Sequence, residues 1–443
     1  MADVADRIEP AFARALGSDA VTVDADGVLA LGVEVPTVRV APHSVEQVAD
    51  ALRIAREHDA VVVPTGSGSA LSLGNLPRGD VVLLSTGKLD KTLDYEPRDL
   101  TAIVEAGKTL ASIQEETAAE HQMLALDPPN RASTSVGGLV ATNASGPLRQ
   151  AYGTPRDLCL GTTVVLSDGA VVKCGGRVVK NVAGYDTTRL YVGSMGTLGV
   201  VVDASFRLHP VPEKTAVVVG VGADWADAVD LARRVVEGRV EPRFVELLDL
   251  GDAHWVVEGV DGLAPAVVVG FGGSEAQVEH QVERTSEALA SAGASDVRVD
   301  EDDADWRALF AAVAHRASAR GDTVVRVGGV MTAILPAMRA VSDLVGARDM
   351  DVQWLSHYTS GVVYAVLSSP SAASVADVLG RLRRETAKLD ATAVVESAPV
   401  EVRRLVDVWG APTAPLELMR ELKRRLDPTA TLNRGRFVRG LDT

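Results

Sequence analysis

The sequence predicts an α+β protein: a first half built around glycine loops, then an open sheet backed by helices. Three observations carry that expectation. The chain has 443 residues, 47% of them hydrophobic, which exceeds one typical domain and supplies large cores. Its first 212 residues interleave short valine-rich strands with three loops rich in Gly, Ser, Thr and Asn. From about 213 to 400, strand and helix signals alternate with few glycine loops. The boundaries fall near 212 and 410, giving segments 1–212, 213–410 and 411–443.

Taken in order, residues 1–20 read as an amphipathic helix. In "APHSVEQVADALRIAREHDA", Ser44 and Gln47 form a capping box, and Val48, Leu52 and Ala55 fall at helical spacing. "VVVPT", "VVLLS" and "LTAIVEAG" read as strands, and "TLASIQEETAAEH" as a helix. Residues 127–147 carry Pro, Gly, Ser and Asn without periodicity, a long irregular stretch of the kind that belongs to binding sites. "TTVVLSDGAVVKCG" is a hairpin turning at Asp168-Gly169, and "GTLGVVVDASFRLHPVP" is a strand stopped by prolines. Next come strands at "TAVVVGVG", "RFVELLD", "PAVVVGFGG", "TVVRVGG" and "GVVYAVLS", with helices over 224–237, 275–292 and 373–389. A helix and a glycine turn close the chain in "APLELMRELKRRLDPTATLNRGRF".

Composition narrows the function. A net charge of −16 argues against a nucleic-acid surface. Two cysteines, Cys159 and Cys174, exclude a disulfide scaffold and a self-contained iron–sulfur cluster, and fit a reducing cytoplasm. The N-terminus has no signal-peptide pattern, and no apolar run approaches the roughly 20 residues that span a bilayer. The expectation is a cytoplasmic protein with at most peripheral membrane association.

The loops "TGSGSALSLG" (65–74), "STSVGGLVATNASGP" (133–147) and "GSMGTLG" (193–199) share one chemistry. Glycine lets backbone N–H groups approach a phosphate, and hydroxyls add neutral donors. Gly66 and Gly68 start a dinucleotide fingerprint, but Leu71 replaces its third glycine and no helix follows, so a Rossmann site fails.

The run from "PTGSGSALSLG" to "GSMGTLGVVVDASFRLHP", with "GGRVVKNVAGYD" (175–186) inside it, resembles FAD-binding oxidoreductases of the vanillyl-alcohol oxidase/p-cresol methylhydroxylase (PCMH) type. "GGRVVKNVAGYDTTRLYVGSMGTLGVV", "DVWG" (407–410) and "LDPTATLNRGRF" are similar to the FAD-binding subunit of bacterial glycolate oxidase. The resemblance implies a PCMH-type FAD-binding domain of two α+β subdomains, completed by the C-terminal segment. It also implies a cap domain of open antiparallel sheet flanked by helices.

By the same resemblance, Pro64, Thr65, Gly66, Ser67, Gly68 and Ser69 wrap the FAD diphosphate. Pro128, Ser135, Gly137, Gly138, Ala141, Thr142, Asn143, Ser145 and Gly146 join them from the second loop. Asn181, Gly184, Gly196, Gly199, Val200 and Asn433 line the flavin and its ribityl chain. Lys180 reads evenly as a donor or a surface lysine, and Tyr185-Asp186 as a helix-start cap. The loop 65–74 has no histidine to attach the flavin, so the FAD is expected to be non-covalent.

Relatives that oxidise 2-hydroxy acids hold a metal on Gly-His-x-Gly-Asp-Gly-Asn-x-His and a later Glu-His-Gly. Here "SHYTSGVVYAVL" keeps His357 and Gly361 but has Val362 and Tyr364, and "VVESAPVEV" keeps Glu396 but has Ser397. No metal is therefore expected. His357 reads as a base or as a strand-start residue. Arg326 and Arg243 are candidate carboxylate clamps. Tyr152 and Arg156 read as supports for the flavin loops, and Trp306, Trp354 and Trp409 as core aromatics.

The activity implied is oxidation of a small 2-hydroxy acid, glycolate first, by hydride transfer to FAD. Electrons would leave through a sister flavoprotein subunit and an iron–sulfur subunit. An FAD-holding relay or structural subunit, and a stand-alone flavin oxidase, are the alternatives.

Overall fold

The computed structural model describes residues 4–24, 28–129, 132–177, 185–249, 264–304, 306–307, 322–346, 350–369, 371–412 and 416–442. The chain forms two compact units. The first comprises Met1–Ala144, Thr154–Pro210 and Asp407–Thr443; the second comprises Ser145–Gly153 and Val211–Val406.

In the first unit, strands β1 (Val21–Asp24), β2 (Thr37–Val40), β3 (Val61–Thr65) and β4 (Val81–Ser85) form a sheet in the order β1-β2-β4-β3. β2 and β3 run parallel to β4, which requires a crossover, and the helix Val45–Glu57 supplies it. Ser44 Oγ accepts from Gln47 N at 3.3 Å, while Gln47 Oε1 accepts from His43 N at 2.7 Å, one residue outside a strict capping box. Val48, Leu52 and Ala55 then face Val40, Val62 and Val82, joined by Ile8 and Phe12 of the helix Val4–Leu16. Phe12 is fully buried, worth about 1.5–3 kcal/mol.

A second sheet is antiparallel: β5 (Thr92–Glu96), β6 (Thr101–Glu105), β8 (Cys159–Val165), β9 (Val171–Gly175) and β10 (Val200–Arg207), ordered β5-β6-β10-β8-β9. β7 (Gln122–Met123) pairs only with β11 (His209–Pro210). The β8–β9 hairpin turns at Gly169 (φ +83°) as its sequence requires. The stretch read as irregular holds a two-turn helix, Val136–Thr142, closed by Asn143 in the left-handed region (φ +54°). Its two glycines and β-branched residues hid it, because packing overrides weak intrinsic propensity.

The second unit is an eight-stranded antiparallel sheet flanked by helices. Its strands are β12 (Lys214–Val221), β13 (Phe244–Asp249), β14 (Pro265–Gly273), β15 (Asp296–Asp300), β16 (Thr323–Gly328), β17 (Asp351–His357), β18 (Val362–Ser368) and β19 (Thr392–Ser397). The order is β15-β12-β14-β13-β17-β18-β16-β19. Strands β1, β2, β5, β7, β15, β17 and β19 and the helix Ile334–Gly346 escaped the sequence reading. β5 and β15 carry charged residues in place of a clean apolar alternation.

Candidate functional site

The first unit opens a concave cleft among its glycine loops, the kind of place where cofactors and ligands sit. Strand β3 delivers Val63, Pro64 and Thr65 to it, and the following loop adds Gly66, Ser67, Gly68, Ser69, Ala70 and Leu71. Ser135 and the helix behind it contribute Gly137, Gly138, Ala141 and Thr142. Met195, Gly196, Gly199, Val200 and Val201 enter from the β10 side, Thr86 follows β4, and the C-terminal segment adds Asn433 and Arg436.

The loop after β3 is built for an anion. Among the described residues, none of the amides of Gly66, Ser67, Gly68, Ser69 or Ala70 has a protein acceptor. Successive free N–H groups in a turn form a concavity for phosphate oxygens. A Cβ on Gly66 would lie 1.8 Å from Ser135 Oγ, so only glycine lets the loop approach that hydroxyl. By contrast, Val136 and Gly137 spend their amides on the Lys108 and Ala106 carbonyls, so the start of that helix has less to offer a ligand.

The C-terminal segment completes the cleft. Val62 N donates to Thr431 O at 2.8 Å, and Asn433 N to Val62 O at 2.9 Å, extending the β3 edge. Asn433 Nδ2 donates to Met195 O at 2.7 Å, which leaves its Oδ1 buried with no partner. Behind it, Lys423 Nζ donates to Thr197 O, Asp427 Oδ2 and Leu432 O at 2.8, 2.7 and 2.9 Å. Arg436 Nη2 bonds the Leu71 and Leu73 carbonyls, fixing the far end of the glycine loop. A cleft with a nest of free amides, glycines where side chains would clash, and an unspent amide oxygen suits a diphosphate-linked dinucleotide.

Several expected cofactor residues lie elsewhere. Pro128 is buried away from the cleft lining. Asn143 spends its Oδ1 on Arg156 N at 3.0 Å. Ser145 and Gly146 belong to the second unit, because the chain leaves the first unit after Ala144. Lys180, Asn181 and Gly184 lie outside the described residues; just after them, Asp186 Oδ1 accepts from Arg189 N at 3.4 Å. Val63, Ala70, Leu71, Thr86, Met195, Val201 and Arg436 also line the cleft and were not singled out from the sequence. Met195 adopts φ +55° ahead of Gly196, a kink that no single-residue signal announces.

In the second unit, cross-strand register sets four titratable side chains on one sheet face. Glu246 pairs with His357, Leu355 with Tyr364, and Tyr364 with Arg326. His357 lies two residues from Leu355, on the same face. His357 Nδ1 and Glu246 Oε2 are 2.6 Å apart, and the two side chains are 6% and 2% exposed. Burial raises the Glu246 carboxyl above its ordinary range, opposed by His357 and Arg149. Tyr364 packs edge-on to the His357 ring at 5.4 Å, and burial pushes its hydroxyl up to about 12. Arg326 Nε donates to Glu396 Oε1 at 2.5 Å.

Two side chains read as site or support residues turn out to be structural here. Arg243 donates to Asp303 Oδ2 at 2.8 Å and lies 5.7 Å over the Tyr152 ring, so its fork is committed. Tyr152 belongs to the second unit. Trp306 packs in the same core, with its indole N–H on Asp300. Among the described residues, no three His, Cys, Asp or Glu side chains gather as metal ligands. No described helix is long and apolar enough to cross a membrane.

Comparison with known proteins agrees with this geometry. The family model of the FAD binding domain matches residues 36–175, and that of the FAD linked oxidases' C-terminal domain matches residues 211–334. The glycolate oxidase subunit GlcD of Bacillus subtilis is 25% identical over 91% of this chain and 89% of its own length. D-2-hydroxyglutarate dehydrogenase of Xanthomonas citri pv. viticola is 29% identical, covering 89% and 88%. The mitochondrial D-lactate dehydrogenase [cytochrome] of Arabidopsis thaliana is 34% identical over 61% of this chain and 48% of its own. Among solved structures, substrate-bound p-cresol methylhydroxylase superposes with a TM-score of 0.77 at 19% identity, covering 97% and 96%. Alkyldihydroxyacetonephosphate synthase gives 0.73 at 17% identity, covering 96% and 84%. At such identities the structural likeness shows the fold alone.

Proposed function

Because the chain belongs to the FAD-linked oxidases and has a PCMH-type FAD-binding fold, we propose that it oxidises a small 2-hydroxy acid, with glycolate the leading candidate. The run of free amides from Gly66 to Ala70 carries the cofactor half of this reading. Those amides and Ser135 hold the diphosphate of non-covalent FAD, and Gly196, Gly199, Val200 and Asn433 hold its flavin end. Asn181 and Gly184 belong to the same set by resemblance.

The second unit supplies the substrate half. Bound FAD contributes a two-electron, hydride-accepting ring. Glu246 holds the Nδ1 side of His357, which leaves the Nε2 lone pair to take the substrate's hydroxyl proton. Such positioned general bases contribute about 10²–10⁴-fold. Arg326, steadied by Glu396, offers its remaining N–H groups to substrate oxygen. Tyr364 stays neutral and packs against the imidazole edge.

Electrons leave through a sister flavoprotein subunit and an iron–sulfur subunit. A four-thiolate cluster would not form on the two cysteines of this sequence. The near-complete burial of His357 and Glu246 favours a second reading, in which the chain holds FAD as a relay or structural subunit and a sister subunit does the chemistry.

Anaerobic addition of glycolate, D-lactate and longer 2-hydroxy acids to the flavin-loaded chain tests both. Bleaching of the visible flavin band by one of them is expected. Bleaching only after the partner subunits are added would leave the relay reading standing, and no bleaching in either form would sink both. Peroxide formed without partners would identify a stand-alone oxidase.

A further inference from the structure

The nine residues Ser145–Gly153 join the second unit and are pinned there. Leu148 is buried in the cluster of Phe244, Leu248 and Leu355, and Tyr152 packs against the same cluster. Between them, Gln150 Nε2 donates to Pro242 O at 2.9 Å, and its Oε1 accepts from Thr359 Oγ1 at 2.8 Å. Arg149 is therefore carried on a fixed turn. Its neighbour Leu148 packs in the cluster that includes Leu355 and that Tyr364 packs against, and from there the Arg149 charge acts on Glu246 and Tyr364.

The nearby arginines are committed to carboxylates, Arg326 to Glu396 and Arg243 to Asp303. Arg149 has no ion pair and no side-chain hydrogen bond among the described residues. Charge bookkeeping decides what it does. Glu246 and Glu396 set two carboxylates against Arg326, so without Arg149 the face repels an anion unless His357 is protonated. With Arg149 the carboxylates are balanced, and an unshared guanidinium fork remains for two more oxygens.

We propose that Arg149 binds the substrate's carboxylate on this sheet face, an assignment that rests on reading the second unit as the 2-hydroxy-acid domain. The fork holds the carboxylate while the neighbouring hydroxyl meets His357. Arg326 then acts on the hydroxyl side and keeps Glu396 in place.

The test uses flavin-loaded protein carrying Arg149→Gln or Arg149→Lys, each checked for flavin content and thermal unfolding. With the hydroxy acid that bleaches the flavin, Arg149→Gln should raise KM roughly 10- to 100-fold and change kcat little, the loss of a charge-assisted hydrogen-bond pair. Arg149→Lys should recover part of that loss, and the wild type should bind non-oxidisable oxalate in a calorimetric titration that Arg149→Gln weakens by a similar factor. Unchanged KM and oxalate binding in Arg149→Gln, or no oxalate binding by the wild type, overturns the assignment. Oxalate binding that depends on Arg149, with no hydroxy acid bleaching the flavin, supports Arg149 and rejects the reaction instead.

Discussion

Lys423 donates its ammonium to the carbonyl of Thr197 at 2.8 Å, across 226 positions of sequence. The same ammonium binds Asp427 and Leu432 O, and the Lys423 side chain is 2% exposed. One buried cation thus ties the C-terminal segment to the loop that carries Met195, Gly196 and Gly199. Lys423→Met would strand the buried Asp427 carboxylate and the carbonyls of Thr197 and Leu432. It should cost about 3–5 kcal/mol in urea unfolding, the range for breaking one side of a buried pair. Flavin should also be released at a lower temperature, read as a rise in free flavin fluorescence.

Gly66 offers a sharper probe of the cleft. Gly66→Ala places a methyl 1.8 Å from Ser135 Oγ, so the loop must move away from the ligand. FAD affinity should fall at least about tenfold, the equivalent of one lost hydrogen bond of ~1.4 kcal/mol. The double variant Gly66→Ala/Ser135→Ala should recover part of it. Equal affinity in wild type and single variant would show that the diphosphate lies elsewhere.

Glu246 should leave a pH signature. Its carboxyl is raised above the ordinary 4.5, so the folded chain binds that proton more tightly than the unfolded chain does. Its contribution to stability is then complete below the unfolded value and lost as pH rises through the folded one. Stability of the wild type, measured by urea unfolding over a pH series upward from about 4, should fall more steeply than that of Glu246→Gln. Activity of Glu246→Gln should drop about 10- to 100-fold with a shifted pH profile, since His357 loses the partner that orients it.

The two thiols give a simple check on the hairpin. Cys159 and Cys174 are both buried, and burial pushes the Cys159 thiol up to about 12. Thiolate is the reactive form, so native protein at neutral pH should resist alkylation. Denaturant should expose both residues together, and rapid labelling of the native protein would contradict the packing of β8 and β9.

The glycine-loop cleft was legible because its pattern is local. Gly66, Ser67, Gly68 and Ser69 are adjacent in sequence, and small residues in a row announce a backbone-lined site. Ser135, Gly137 and Gly138 announce themselves in the same way. The face of Glu246, His357 and Arg326 was not legible, because its side chains meet only when strands distant in sequence pair. Glu246 and His357 lie 111 positions apart, and Arg326 and Glu396 lie 70 apart. Ser145, Gly146 and Tyr152 were read with the glycine loops, since no composition change marks the point after Ala144 where the chain changes units. Lys423 hid for another reason: a lysine in a basic helix looks solvated until the tail folds over it.

The excursion of Ser145–Gly153 into the second unit governs how this architecture can be taken apart. A recombinant fragment cut at 211 and 406 would lack Leu148 and Tyr152 and expose the apolar pit beside Phe244 and Leu248. Exchanging this lobe between homologous enzymes would need a second, nine-residue graft far upstream. If Arg149 clamps the substrate as proposed, mutations in a stretch that a linear domain map assigns to the nucleotide fold would change substrate preference.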